Sequence, residues 1–185
     1  DLRILREMTQ TLLNLEMAAT QDMVKLAYEH KPDVVTLVPE RREELTTEGG
    51  LDVAGQKDAI ARVVKNLKDG DIVVSVFIDP DLDQVKASHK VSSDRIELHT
   101  GRYCEARTPK EREREFSRIV DAAKTASRLG MGCAAGHGLN YDNVRPIAKV
   151  AEIDELNIGH AIVARAVLIG FEAAVREMVE ILRNP

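Results

Sequence analysis

The amino-acid sequence predicts an α/β fold, a (β/α)8 or TIM barrel, of which about six strand–helix units lie in this chain. Strand-like and helix-like segments alternate about six times along the 185 residues. The predicted strands are either continuously apolar or alternate apolar with polar residues, a pattern typical of parallel strands covered by helices. Because a closed barrel of this class needs about 250 residues, we expect residues 1–185 to form a single barrel domain that lacks its first two units.

An open six-stranded sheet is the competing prediction. It would place Glu16 and Glu97 on a buried sheet face, without a barrel interior in which their carboxylates meet other polar groups. The barrel gives both side chains a shared interior and is therefore favoured.

Six short segments carry the strand signal. The first and fourth alternate apolar with polar residues, and the second and third are nearly unbroken apolar runs rich in valine. The last two are short apolar segments that precede glycine-containing turns. The predicted strands are 11–18, 34–38, 72–79, 95–100, 131–135 and 156–158.

Helical segments follow the predicted strands. Thr20 and Asp81 are suitable N-caps for two of these helices, Pro109 favours the start of another, and Gly70 favours the end of one. The last segment carries a long apolar stripe and is predicted as one uninterrupted helix. The predicted helices are 20–29, 56–68, 81–89, 109–129, 143–151 and 161–183, and a long polar loop covers 40–52.

The composition excludes several classes of protein. The net charge of -5 and the 3% aromatic content give no basis for nucleic-acid binding. There is no run of about 18 apolar residues, so no membrane-spanning helix is predicted. Cys104 and Cys133 lack metal-ligand spacing, and we expect them to be reduced thiols of a cytoplasmic protein.

A histidine between two glycines follows the fifth predicted strand. Gly136 and Gly138 allow the backbone to turn sharply at His137 and allow a ligand to approach closely. Because functional groups of barrel and open α/β enzymes lie at the carboxyl ends of the strands, this pattern favours catalysis or phosphate contact by His137. A structural turn is the alternative interpretation.

The alternation of two strands predicts which side chains face the barrel axis. If the apolar residues of strands 11–18 and 95–100 face the helices, then Glu16, Glu97 and His99 face the interior. Buried ionisable groups that converge there acquire the perturbed pKa values that general acids and bases require. A single glutamate would be interpreted as structural, but Glu16, Glu97 and His137 together favour a catalytic site.

A second glycine–histidine pair precedes the last predicted helix. The backbone N–H groups of Gly159 and His160 are suited to bind a phosphate at a helix N-terminus.

Asp79, Asp81 and Asp83 have a spacing that suggests a cation site, but a strand end followed by helix-capping aspartates is the favoured interpretation. No metal site is predicted. No lysine lies at a predicted strand end, which argues against a Schiff-base enzyme.

Six motifs together resemble one known family. NLEMA, TTEGGLDV, SVFID, IELHTG, AGHGLNY and ELNIGHAI occur in this order between residues 14 and 162. The same motifs occur in the same order in pyridoxine 5'-phosphate synthase, a TIM-barrel transferase of vitamin B6 biosynthesis. The resemblance implies condensation of 3-amino-2-oxopropyl phosphate with 1-deoxy-D-xylulose 5-phosphate. The products would be pyridoxine 5'-phosphate, inorganic phosphate and water, without an organic cofactor.

The resemblance also implies roles for individual residues. Glu16 resembles the catalytic acid/base carboxylate, His137 the proton-donating histidine, and Glu97 the carboxylate that stabilises a transition state. The residues that resemble substrate or product contacts are Thr46, Gly138, Gly159 and His160. The family's first two strands have no counterpart in this sequence, so we expect this chain alone to be an incomplete catalyst.

The sequence also leads to an expectation about assembly and leaves two alternative functions open. The resemblance implies a homo-oligomer, an octamer as is usual in the family. One alternative function is another phosphosugar-binding barrel enzyme of the aldolase or isomerase type, and another is a non-catalytic phosphate-binding fragment.

Overall fold

The computed structural model describes residues 1–40 and 49–185. Within these ranges, six parallel strands form one sheet in which each strand pairs with the next along the chain. The strands are β1 (Asn14–Ala18), β2 (Val34–Val38), β3 (Val73–Ile78), β4 (Arg95–His99), β5 (Gly132–Gly136) and β6 (Glu155–Asn157).

Helices follow the strands and cover one face of the sheet. They are α1 (Leu2–Met8), α2 (Gln21–His30), α3 (Lys57–Asp69), α4 (Leu82–Lys90), α5 (Gly101–Glu105), α6 (Pro109–Arg128), α7 (Val144–Ala148), α8 (His160–Ile169) and α9 (Phe171–Arg183). Among the described residues, none of these helices is long and apolar enough to cross a membrane.

The sheet is curled into part of a barrel. Residues from all six strands line one cavity of about 290 Å³, among them Asn14, Thr36, Ser75, Glu97 and Asn157. Such a cavity requires a concave inner face. The six-stranded sheet is therefore curled, and it is open between β1 and β6. The observed sheet has six parallel strands in sequential order, as in a partial TIM barrel.

The hydrophobic core lies between the outer face of the sheet and the helices. Val35, Val74, Ile96 and Leu98 are completely buried there. Glu97, which alternates with Ile96 and Leu98 along β4, lines the inner cavity instead. The alternation that placed apolar residues towards the helices and polar residues towards the interior is therefore observed on β4.

Local sequence signals define several helix ends. The Thr20 side chain accepts a hydrogen bond from the Met23 amide, and the Asp81 carboxylate accepts from the first turn of α4. Pro109 begins α6 behind a capping box. These caps fix where each helix leaves its strand and thereby position the loops at the carboxyl edge of the sheet.

The uninterrupted helix predicted over 161–183 is wrong. Gly170 adopts φ = 85°, a left-handed conformation that ends α8, and α9 starts at the next residue. A glycine adopts this conformation without a steric penalty, so one residue divides the apolar stripe into two helices. The short helix α5 was not predicted, because its five residues carry no helical periodicity.

Candidate active site

The predicted catalytic residues lie on, or directly after, three strands of the sheet. Glu16 lies on β1, Glu97 lies on β4, and His137 follows β5 directly. Glu97 pairs in register with Ala134, and His99 pairs with Gly136. Glu16 and Glu97 are each the third residue of a five-residue strand, and Glu16 is exposed whereas Glu97 is buried. Only His137 lies beyond the end of its strand, at the rim formed by the carboxyl ends of the parallel strands.

Glu97 is held by a hydrogen bond and by a close backbone contact. It is 4% exposed, and its Oε2 accepts a hydrogen bond from Asn157 Nδ2 at 2.8 Å. A Cβ atom at Gly136 would lie 2.4 Å from Glu97 Oε1. The missing side chain at Gly136 therefore provides the space for this carboxylate directly before His137.

The surroundings of Glu97 suit a group that both gives and takes protons. The pKa of Glu97 is raised to about 7, mainly by burial; the Asn157 hydrogen bond opposes this effect, and the charges of Glu16 and Glu155 reinforce it. A carboxyl group with a pKa near neutrality is present in both protonation states, which general acid–base catalysis requires.

Replacing Gly136 by alanine is expected to destabilise the protein by about 1–3 kcal/mol, because the new Cβ overlaps the Glu97 carboxylate. Denaturant unfolding of both proteins measures this difference in free energy. Gly49→Ala is the matched control, since a Cβ there meets its nearest neighbour at 3.7 Å. Equal stability of Gly136→Ala and wild type would mean that Glu97 is not confined as described.

The backbone of His137 is held in a conformation that is uncommon for a residue with a side chain. Its φ is 78°. The Thr100 hydroxyl contacts the His137 carbonyl oxygen at 2.6 Å, and the Thr100 amide donates to the Gly136 carbonyl at 2.8 Å. Left-handed backbone at such a residue is a local strain that surrounding contacts must maintain. Here it presents the exposed imidazole at the rim.

Three rings pack together beneath this rim. The centroid of the His137 ring lies 4.9 Å from that of His99 and 6.5 Å from that of Phe77. The ring of His99 is 5.1 Å from Phe77. The His137 imidazole therefore rests on side chains from β3 and β4, although it follows β5 in the chain.

The predicted phosphate contacts lie at the ends of neighbouring strands. Gly138 adopts φ = 81° two residues after β5. Gly159 is the N-cap of the ten-residue helix α8, and His160 is its first residue. Gly138 and the N-terminus of α8 both offer backbone N–H groups of the kind that bind anions. Thr46 lies outside the residues that the structure describes.

Some features of the site were not predicted from the sequence. Asn157 was not singled out, although it lies at the end of the short strand β6 and holds Glu97. From the sequence, Asp79 was interpreted as the end of a strand that is followed by helix-capping aspartates. In the structure, Asp81 is the residue that caps α4. Asp79 instead contacts His99 and the Gly50 amide. Within the described residues, no group of three or more His, Cys, Asp or Glu side chains is arranged to hold a metal ion.

The cysteines do not contribute reactive thiols. Burial raises the pKa of Cys104 to about 11 and that of Cys133 to about 12. Since the thiolate is the reactive form, both are interpreted as packing residues.

Comparison with known proteins identifies the family. The model of the family described as "Pyridoxal phosphate biosynthesis protein PdxJ" matches residues 1–184. The pyridoxine 5'-phosphate synthase of Geobacter sulfurreducens is 57% identical over 183 residues, which are 99% of this chain and 77% of that protein. The enzyme of the same name from Trichlorobacter lovleyi is 52% identical over 185 residues, with 100% and 77% covered.

Solved structures of distant proteins share the fold. A xylose isomerase domain protein from Planctomyces limnophilus has a TM-score of 0.54 at 12% identity, covering 91% of this chain and 70% of that one. The citrate synthase SbnG has a TM-score of 0.56 at 13% identity, covering 94% and 74%. These likenesses concern the fold alone, whereas the family match and the relatives' identities show that the chain belongs to the PdxJ family of pyridoxal phosphate biosynthesis proteins, whose curated members are enzymes named pyridoxine 5'-phosphate synthase.

Proposed function

We propose that the protein condenses 3-amino-2-oxopropyl phosphate with 1-deoxy-D-xylulose 5-phosphate to form pyridoxine 5'-phosphate, inorganic phosphate and water. The observation that carries the proposal is Glu97, a buried carboxyl group with a pKa of about 7 that lines the cavity on the inner face of the curled sheet. The relatives' names, which specify the product, support the same reaction.

The proposed reaction needs repeated proton transfer. The amine of one substrate adds to the ketone of the other, water and phosphate are lost, and the ring closes and becomes aromatic. Glu16 acts as acid and base on the carbon skeleton, and His137 donates a proton to the leaving oxygen. Glu97, next to Gly136 and hydrogen-bonded to Asn157, stabilises positive charge in the transition state when ionised. No organic cofactor takes part.

The two phosphate groups are proposed to bind at loop ends and at a helix N-terminus. Gly138, Gly159 and His160 offer backbone N–H groups at the ends of β5 and β6, and the positive end of the α8 dipole favours an anion there. Thr46 is proposed as a contact to 1-deoxy-D-xylulose 5-phosphate.

We further propose that residues 1–185 form one domain of an eight-stranded barrel, in which two further strands close the gap between β6 and β1. The curled sheet and its sequential strand order support this arrangement.

A homo-oligomer, an octamer as in the family, and a cytoplasmic location belong to the same proposal. The exposed apolar side chains of α8 support contact with further structure; they include Val163, Val167 and Leu168.

Turnover by the complete eight-stranded barrel, with both substrates, tests the proposed function. We expect pyridoxine 5'-phosphate, followed by its absorbance, only when both substrates are present, together with one released inorganic phosphate per product. Turnover of a single sugar phosphate without the amine would instead identify an aldolase or isomerase. Phosphate-ester binding without any turnover would identify a non-catalytic phosphate-binding protein. Either result would contradict the proposal.

A further inference from the structure

Asp79 and His99 form a buried carboxylate–imidazole pair next to His137. Asp79 follows β3 and His99 ends β4, and Asp79 Oδ1 lies 3.1 Å from His99 Nδ1. The His99 side chain is 4% exposed and that of Asp79 is 32% exposed. None of the roles proposed above for the reaction uses either residue.

The direction of the hydrogen bond between Asp79 and His99 follows from the charge of the carboxylate. The hydrogen bond from His99 is the largest of the effects that hold the pKa of Asp79 below its ordinary value, and the Gly50 amide acts in the same direction while burial opposes them. An ionised carboxylate only accepts hydrogen bonds, so Nδ1 of His99 carries the proton that it donates. The same oxygen, Oδ1, also accepts from the Gly50 amide at 3.2 Å.

Nε2 of His99 lies on the side of the ring that faces Gly101. This atom is buried and has no hydrogen-bond partner among the described residues. A Cβ atom at Gly101 would lie 2.7 Å from it and 3.5 Å from Cδ2 of His137. The glycine backbone therefore lies against both imidazoles and leaves room for the ring contact between them.

We propose that Asp79 and His99 are positioning residues that set the orientation of the His137 ring. Asp79 fixes the rotation and the tautomer of the His99 ring, and that ring supports the His137 imidazole at a centroid distance of 4.9 Å and an interplanar angle of 59°. The Thr100 hydroxyl meanwhile holds the backbone of His137. Both the backbone and the ring of His137 are thus positioned by residues that belong to the end of β4.

A graded pair of substitutions at Asp79 tests the inference, which rests on the role proposed for His137. Asp79→Ala removes the acceptor of the His99 proton, and we expect kcat to fall about 100-fold with KM changed less than about threefold, because misplacing a catalytic group costs this much. Asp79→Asn retains an acceptor oxygen and is expected to restore kcat to within about tenfold of wild type. Asp83→Asn and His89→Asn, on exposed positions of α4, are matched controls with unchanged turnover.

The orientation of the ring provides a readout that does not depend on turnover. Crystal structures of the wild type and of Asp79→Ala are expected to have the same backbone, with the His137 ring rotated or in several orientations only in the variant. A wild-type ring orientation together with kcat within twofold of wild type would overturn the inference. If the wild type itself forms no pyridoxine 5'-phosphate, the proposed function fails, and the ring orientations alone decide the inference.

Discussion

Replacing His137 by alanine is expected to lower kcat about 10³-fold, because the change removes the proposed proton donor from the rim. The side chain is exposed, so the fold should remain intact. Histidine tolerates the observed φ of 78° better than alanine, so the backbone adds at most about 1 kcal/mol of destabilisation. Steady-state kinetics with both substrates, together with thermal unfolding, measures the two effects.

His137→Asn separates loss of the imidazole from backbone strain. Asparagine tolerates left-handed backbone, so this variant should unfold at a temperature close to that of wild type and yet be as inactive as His137→Ala. His89→Ala, at an exposed position on α4, should retain full turnover. Unchanged turnover in both His137 variants would remove this residue from the mechanism.

Replacing Glu97 by glutamine is expected to change how stability depends on pH. The pKa of this buried group is raised from 4.5 to about 7 in the folded protein. Its contribution to stability is therefore complete below pH ~4.5 and is lost as pH rises through about 7, since the unfolded chain ionises first. At about 1.4 kcal/mol per pH unit, the loss amounts to ~3 kcal/mol.

Glutamine does not ionise, so the variant should lack this loss. Relative to wild type, Glu97→Gln should gain ~3 kcal/mol of unfolding free energy between pH 4.5 and pH 8, while its kcat falls. Urea unfolding at both pH values measures the difference, and Glu113→Gln, on an exposed position of α6, is the control. If the stabilities of Glu97→Gln and wild type change in parallel with pH, Glu97 does not have a raised pKa.

Much of the fold was predictable because its signals are local. The strand 34–38 was predicted with its observed bounds, since an unbroken β-branched run ends at Pro39. The caps at Thr20 and Asp81 were predicted for the same reason. The division of the last helix at Gly170 was missed, because a single glycine within an apolar stripe is compatible with either a helix or a break.

The interior position of Glu97 was predictable, but the contacts that support the candidate site were not. Alternation along β4 placed Glu97 on the interior face, and the motifs suggested its family, which the comparisons confirm. The partner of Glu97, Asn157, lies 60 residues further along the chain. The partner of His99, Asp79, likewise comes from elsewhere in the chain, directly after β3. Contacts of this kind depend on how neighbouring strands are aligned, which no local pattern specifies. The catalytic and binding roles of the site residues stay predictions.

A crystal structure of the protein with bound pyridoxine 5'-phosphate tests the proposed site most directly. We expect the phosphate group within hydrogen-bond distance of backbone N–H groups at Gly138, Gly159 or His160. The pyridine ring should lie between Glu16, Glu97 and His137. A product molecule bound elsewhere, or one whose ring contacts none of these three side chains, would contradict the site.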